Sequence, residues 1–594
     1  MHLSRVKISN FRNFAAVDVS MRSDVVLVGA NRSGKSNFIY AIRLVLDAAL
    51  PDSSRQLKLT DIWDGCELST NPEIRIDIEF SDFDGDPNLL ALLTDYRPPE
   101  DHTKARLSYV YRVKAGVEGA AKSDADYEFK VFGGGDETRY IRPEVRRRIS
   151  FDVLHALRDA ESELGTWRSS PLRPLLEDAI STVPKASLDD VASDLAAATA
   201  KLGALGPIQT LEADLRGQIS DLSGPVQDIK AKLGFTPSDP LRLFRSIGLF
   251  IDDGKRGIAE ASLGSANLAL LALKLAEFAW RRQKNERNYT ILCVEEPEAH
   301  LHPHLQRSVF RKLFTVDSDP LRGLMLTTHA PNIASVAPIN SIILLKSSAS
   351  GAEVHSLADL ALTDAEKEDL ERYLDATRAE LLFARAVIFV EGDAEEALLP
   401  IFAKSIGYDL DDLGITVCNV GGVNFSPYVK LAGTLGIRYS VVTDWDPLDG
   451  TKPPLGRARA LGLVDVRREV QGKPPRTPEQ RAAHDALPDD ELRQGVKAGG
   501  LFLNTSTLEV ELAQPPELLA ALISILEAEE YGSRRRARIA SWKDGSVPVN
   551  PEQLLAMVAD IGKGRLAGRL AKAAKNLPPP AYIAEAIAYA AKDG

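Results

Sequence analysis

Two sets of residues in this sequence are spaced for phosphate chemistry. The first is GANRSGKS at 29–36, preceded by the apolar run VVLV (25–28) and followed by NFIYAIRLVLDAAL, whose apolar residues fall at helical spacing. A strand, a GxxxxGK[ST] loop and a helix in that order make a phosphate cradle. Gly29 and Gly34 let the chain curl so that backbone N–H groups across the Asn31 stretch face phosphate oxygens. Lys35 reaches the β- and γ-phosphates of a nucleotide, and Ser36 offers a hydroxyl to its Mg2+. The second set is acidic. RAVIFV (385–390) is rich in β-branched and aromatic residues and reads as a strand, with Glu391 at its end, Gly392 as a turn and a helix after it that carries Glu395. IRYSVVTDWDPLDG (437–450) is another apolar strand that ends in Asp444 and Asp446. Residues two apart on a strand face one side. In an α/β sheet both strand ends open on the same crevice. Clusters made only of oxygen ligands suit Mg2+ or Mn2+, and a pair of such ions can activate water and stabilise the leaving oxygen in phosphodiester cleavage.

Three further segments complete the first set. YTILCVEEPEAHLHPH (289–304) begins as an apolar strand and ends in two carboxylates. Glu295 is read as helping to hold Mg2+ and Glu296 as polarising the attacking water, although the first position is more usually Asp. His300, His302 and His304 follow too closely for a metal site to be favoured, and a turn at the nucleotide interface is preferred. LMLTTHAP (324–331) is a strand ending in His329, placed to sense the γ-phosphate. ASLGSANLALLALKLAEFAW (261–280) is a small-residue loop before an apolar helix, and its N–H groups and positive end suit a second phosphate contact.

These motifs need a scaffold with more than one core, and 594 residues are too many for a single core. Hydrophobic content of 44% and charged content of 26% are ordinary for a folded chain. A net charge of −12 argues against a simple DNA-coating protein but leaves room for a local basic groove. Cys66, Cys293 and Cys418 lack ligand spacing, which fits a reducing cytoplasm and argues against a disulfide framework. No apolar run is read as reaching the roughly 18 residues of a membrane span, and no membrane association is expected. The fold class read from the patterns is α/β. An ATPase domain occupies 1–150 and 246–345, interrupted by a helical insertion at 151–245. A linker follows at 346–383, and a second α/β domain with a helical end occupies 384–594. The insertion is either solvated decoration or a dimerisation arm.

The four nucleotide motifs, in this order over about residues 1–345, resemble the ABC-type ATPases of the SMC and RecF kind, and KISNFRNF at the start is similar to that group. The resemblance implies that Ser262, Gly264 and Asn267 form the signature loop, which completes the nucleotide site of another subunit, so that a homodimer or higher homo-oligomer is implied. Gln56 is a weak candidate for the Q-loop glutamine. The Glu–Gly…Asp-x-Asp pattern resembles the Toprim domain. FVEGDAEEALLP is most similar to the OLD (overcoming lysogenization defect) family, which joins this ATPase to this Toprim domain in this order. That resemblance covers nearly the entire chain. It implies another metal ligand at Glu509, with Glu511 as the alternative, and a cation for the scissile phosphate or leaving group at Lys563. RRRAR (534–538), Arg565, Arg569, Lys572 and Lys575 are either a solvated face or a DNA-backbone surface.

The expectation is thus an ATP-binding and ATP-hydrolysing, divalent-metal-dependent DNA endonuclease. It would act in phage defence or DNA repair, with DNA as substrate and, by similarity to Gabija-type members, a UvrD-like helicase as partner. The alternative is a non-cutting RecF/SMC-like ATPase clamp, which the carboxylate set disfavours. A Toprim topoisomerase or primase ranks lower, because no tyrosine nucleophile context is visible.

Overall fold

Residues 1–155, 164, 167, 170–223, 233, 244–245, 247–251, 253–299, 301–315, 322–448 and 452–592 are described by a computed structural model. They form two units, Met1–Leu154 with Tyr289–Gly594, and His155–Asn288. In the first unit, strands β1 (His2–Phe11), β2 (Phe14–Ser20), β3 (Asp24–Gly29), β4 (Ile74–Ser81), β5 (Ala105–Val113), β6 (Tyr127–Gly133), β7 (Asp136–Tyr140) and β8 (Ile149–Leu154) are shared between two sheets. One is antiparallel, in the order β2-β1-β4-β5-β6-β7.

The second unit contains the helices Leu172–Ser181, Lys185–Gly203, Gly206–Ser223 and Leu263–Gln283, with a small hairpin of β9 (Phe250–Ile251) and β10 (Arg256–Gly257). The small-residue loop and apolar helix expected in the ATPase half therefore lie in this unit. By length and composition Leu263–Gln283 is apolar enough to cross a bilayer, contrary to the sequence expectation of no such run. The helix also buries Glu277, which pairs with Arg281 at 2.7 Å.

Returning to the first unit, β11 (Tyr289–Glu295), β12 (Arg322–Thr328), β13 (Ile342–Ser348) and β14 (Gly351–Ser356) complete the other sheet, in the order β14-β13-β3-β12-β11-β8. All its neighbours pair in parallel except the β13–β14 hairpin. The helix Lys35–Leu46 lies between the sheets. Its Phe38, Ile42 and Val45 share one core with Ile76 and Ile78 of the antiparallel sheet and with Leu27 and Ile291 of the parallel one. A helix covered on opposite sides needs apolar residues nearly all round, which is why IYAIRLVL shows so narrow a polar stripe. Strand β3 reads as an unbroken apolar run for the same reason, since both of its faces are covered.

The sheet extends through Ser356, so the first eleven residues of the stretch read as a linker belong to it. SSASGAEVHS is a polar edge hairpin turning at Gly351, and its composition hides it. A helix, Asp364–Tyr373, follows, capped by Thr363 and Glu366.

The Toprim sheet is β15 (Ala386–Val390), β16 (Ile415–Asn419), β17 (Arg438–Thr443) and β18 (Leu501–Leu503), parallel throughout and ordered β16-β15-β17-β18. The chain passes from β15 to one side and then to the other, so the strand order reverses between β15 and β17. Ligand crevices open at such a point, beyond the carboxyl ends of the strands.

The turn from β3 into the phosphate loop tolerates no side chain. Gly29 has φ +150°, and a Cβ there would stand 2.4 Å from the Leu345 carbonyl oxygen and 2.8 Å from Ser33 Oγ. Gly29→Ala should cost on the order of 2 kcal/mol through backbone strain, read as a lowered thermal unfolding midpoint. Gly85→Ala, at a site with nothing within 4 Å, should leave it unchanged.

Candidate functional site

The nucleotide loop sits at the carboxyl end of β3. Gly34 takes φ +105°, where a Cβ would meet the Asn13 side-chain nitrogen at 2.3 Å. That nitrogen donates to the Ser33 carbonyl at 3.2 Å, and Asn37 donates to Asn13 Oδ1 at 2.7 Å, so the opening KISNFRNF segment braces the loop. Lys35 Nζ donates to the carbonyls of Gly29 and Ala30 at 2.8 and 3.0 Å. Burial pulls the Lys35 ammonium down to about 8, against the charges of Glu296 and Glu298. An ammonium poised over its own loop in this way has donors to give to phosphate oxygens. Asn31 and Ser36 stand in the same loop and its first helical turn.

Glu295 ends β11, and Glu296 follows in the left-handed region at φ 45°, its N–H donating to the Thr327 carbonyl at 3.0 Å. Non-glycine residues rarely adopt such a conformation, and functional sites hold a disproportionate share of them. His329 follows β12, with Nε2 3.6 Å from Glu296. The residue that positions this pair is Glu298, which the sequence reading passed over. Its Oε1 accepts the His329 N–H at 2.6 Å and its Oε2 accepts the Thr328 hydroxyl at 3.0 Å. The spacing EExE was the available signal.

His302 and His304 stack on each other at 5.6 Å, and His304, in the first turn of the helix Pro303–Thr315, shares a bond of 2.9 Å with Arg307; His300 lies outside the described residues. Gln56 is engaged elsewhere, donating to the Tyr127 carbonyl at 3.2 Å. In the second unit Ser262 caps its helix by accepting the Ser265 N–H at 3.2 Å. Gly264 is buried there, and Asn267 is buried with both side-chain amide atoms unpartnered.

The carboxylate centre lies at the carboxyl ends of β15, β17 and β18. Glu391 Oε1 accepts from the Asp444 N–H at 2.9 Å, from the Thr443 hydroxyl and from Arg459 Nη1 at 2.7 Å. Arg459 Nη2 reaches Asp446 at 2.9 Å, and Asp446 has φ 49°. Asp444 accepts the Asn504 amide at 2.5 Å, while the Asn504 carbonyl holds the Trp445 N–H at 2.8 Å. Burial, reinforced by the charges of Glu391 and Glu395, pushes the Asp444 carboxyl up to about 8. Burial also pushes Glu395 up to about 7, with Glu391 and Glu509 adding to it. Lys563 Nζ stands 2.9 Å from Glu509 Oε1, and the other Glu509 oxygen is buried without a partner. Glu511 instead accepts the Thr505 N–H at 2.7 Å and fixes the loop.

One expectation changes here. Among the described residues no three His, Cys, Asp or Glu side chains are already gathered to hold an ion. The cations next to the carboxylates are the chain's own, Arg459 and Lys563. An orphaned Glu509 oxygen, two carboxyls pushed toward neutrality by burial and one another, and an all-oxygen donor set fit a divalent ion of the Mg2+ or Mn2+ kind. Arg459, Asn504 and Thr443 were missed by sequence reading. Thr443 and Asn504 directly follow or end apolar strands and could have been found by position, but Arg459 sits within a helix of ordinary composition.

Residues 382–446 match the family described as overcoming lysogenization defect protein-like, TOPRIM domain. Residues 25–335 match the family described as AAA domain, putative AbiEii toxin, Type IV TA system. "Endonuclease GajA" of Bacillus cereus (strain VD045) is 21% identical over 503 residues, covering 80% of this chain and 82% of its own. "OLD nuclease" of Thermus scotoductus is 24% identical over 475 residues, covering 75% and 83%. Among solved structures, the C-terminal region of the Burkholderia pseudomallei OLD protein is 40% identical, covers 35% of this chain and 98% of that one, and gives a TM-score of 0.31.

The Glu298 clamp generates a prediction. Hydrogen bonds to a charged group contribute roughly 1.5–3 kcal/mol, so Glu298→Gln, which keeps one acceptor oxygen of two, should misplace His329. ATP hydrolysis should slow by about tenfold with nucleotide affinity little changed. A wild-type turnover number for this variant would remove Glu298 from the site.

Proposed function

The chain belongs to the OLD family, and on that premise we propose that it is an ATP-dependent, divalent-metal-dependent DNA endonuclease. Its ATPase and Toprim domains make it an enzyme of two centres. The observation that supports the reading is that Glu391, Glu395, Asp444 and Glu509 act on one another's charge beyond the strand ends of the Toprim sheet, with Arg459 bridging Glu391 to Asp446 and Lys563 beside Glu509. A module that merely binds DNA has no use for so many acids at one crevice, because they repel the phosphate backbone unless cations are recruited.

In this reading Glu391, Glu395, Asp444, Asp446 and Glu509 hold Mg2+ or Mn2+. Ions held there supply an activated water and stabilise the leaving oxygen. Asn504 and Thr443 fix the carboxylates Asp444 and Glu391 in register, and Lys563 presents a cation to the scissile phosphate. At the nucleotide centre Lys35 grips the β- and γ-phosphates, Ser36 and Glu295 serve Mg2+, Glu296 orients water and His329 reads the γ-phosphate.

ATP control has a physical support in β13. Its Leu345 pairs with Gly29 in the sheet, and the next residue, Lys346, donates to the Gly436 carbonyl at 2.7 Å, at the amino-terminal end of β17, the strand whose other end is followed by Asp444. The homodimer reading draws support from the second unit, where the helix Lys185–Gly203 buries none of its residues, and Val191, Leu202, Leu205 and Leu211 are exposed. Action in phage defence or DNA repair, with a UvrD-like helicase as partner, comes with the family resemblance.

Asp444→Ala should abolish nicking of supercoiled plasmid in Mg2+ or Mn2+ and leave ATP hydrolysis largely intact. Glu296→Gln should do the converse to hydrolysis while ATP still binds. Undiminished nicking by Asp444→Ala would place the cutting centre elsewhere.

A further inference from the structure

Arg459 is the most heavily engaged side chain at the carboxylate centre, and neither the family pattern nor the phosphodiester chemistry above assigns it a role. Its guanidinium is 11% exposed. Nη1 donates to Glu391 Oε1 at 2.7 Å, to the Asp444 carbonyl at 3.0 Å and to the Thr443 hydroxyl, while Nη2 donates to Asp446 Oδ2 at 2.9 Å. The fork therefore bridges the two acids that end neighbouring strands.

We infer that Arg459 is the resident counter-cation of this centre, and that a divalent ion entering between Glu391 and Asp446 exchanges with it. The inference rests on the metal-dependent reading given above. Three arguments carry it. First, carboxylates gathered away from water need a cation, and truncating one partner of a buried pair is costly. Among the described residues Arg459 is the cation that touches both acids. Second, the two cations cannot share the place. A guanidinium holds carboxylate oxygens at the 2.7 and 2.9 Å seen here, whereas Mg2+ draws its oxygens to about 2.0–2.1 Å. The oxygens must close on the ion, which repels the guanidinium in turn. Third, the helix that bears Arg459, Leu455–Val470, is tied to the Asp446 segment through Leu455 N–H to the Asp446 carbonyl at 3.1 Å and Gly456 N–H to the Trp445 carbonyl at 2.9 Å. The backbone is thereby anchored, and the long side-chain stem is the part free to withdraw.

Exchange makes Arg459 a threshold for the metal: it keeps the metal-free fold intact and lowers the apparent metal affinity. The test is a Mn2+ titration of nucleotide-free protein, followed by electron paramagnetic resonance, on the wild type, Arg459→Gln, Arg459→Lys and Asp444→Ala. Arg459→Gln should bind Mn2+ at least tenfold more tightly than the wild type. Arg459→Lys, which keeps the charge but loses the fork, should fall between. Metal-free Arg459→Gln should also melt below the wild type, with added Mn2+ closing the gap. Affinity in Arg459→Gln equal to or weaker than wild type would overturn the exchange and make the arginine a support of the metal-bound state. If that variant gives no folded protein, the same comparison with Arg459→Lys decides. A wild type that binds no more Mn2+ than Asp444→Ala would sink the metal-dependent reading itself, a failure visible before any Arg459 variant is compared.

Discussion

Negative charge gathered where buried strands end is the constraint on which both centres of this molecule depend. Parallel strands are buried on both faces, so a side chain that follows the last residue of such a strand stands at the edge of a low-dielectric layer. Placing carboxylates there is useful for recruiting cations and expensive in their absence. The Toprim centre shows the expense: Asp444 is raised to about 8 and Glu395 to about 7, each chiefly by burial.

The two centres meet this constraint with the same means. Each pairs its acids with a cation from a helix that packs beside the strand ends. At the nucleotide loop the cation is Lys35, on the first turn of Lys35–Leu46, with Glu296 and Glu298 acting on it. At the carboxylate centre Arg459 comes from Leu455–Val470 and Lys563 from the first turn of Lys563–Ala573. Each also sets a carboxylate on strained backbone, Glu296 at φ 45° and Asp446 at φ 49°. A left-handed residue after a strand takes the side chain out of the strand's regular alternation, and such backbone is found disproportionately at functional sites.

What could be read in the sequence follows from how local each feature is. The phosphate loop was legible because its strand, glycines, lysine and helix are contiguous, and the Toprim strands because RAVIFV and IRYSVVT are apolar runs ending in acids. The α/β class and the two-domain order followed from these. Arg459 was not legible: it contacts Glu391 across 68 residues, and the helix LGRARALGLVDVRREV carries four arginines, at 457, 459, 467 and 468, with nothing to mark one of them as inward-facing. The β13–β14 hairpin was read as connection because an edge strand wants polar residues, the same composition a linker has. The boundary of the inserted unit was placed at 245, where the helical pattern of the sequence changes. The contacts carry that unit on to Asn288, since the helix Leu263–Gln283 packs with Leu172–Ser181 and its Trp280 donates to Asp178 at 2.8 Å.

The polar hairpin has a further consequence, because its first strand meets the phosphate loop at one residue and the amino-terminal end of a Toprim strand at the next. Leu345 and Lys346 are adjacent, so a displacement at one is felt at the other within a single peptide. The Leu345 carbonyl closes on Gly29, where there is no room for a Cβ, and Lys346, pulled to about 8 by burial, spends its ammonium on the Gly436 carbonyl. A backbone pairing with no room for a side chain leaves little play between the loop and β13. Packed interfaces respond in such cases by switching between discrete arrangements more readily than by bending. Gly436, at φ 62°, heads the strand that ends in Asp444. Coupling of the nucleotide loop to the carboxylates would therefore run along the whole of Arg438–Thr443, about 20 Å at roughly 3.3 Å per residue.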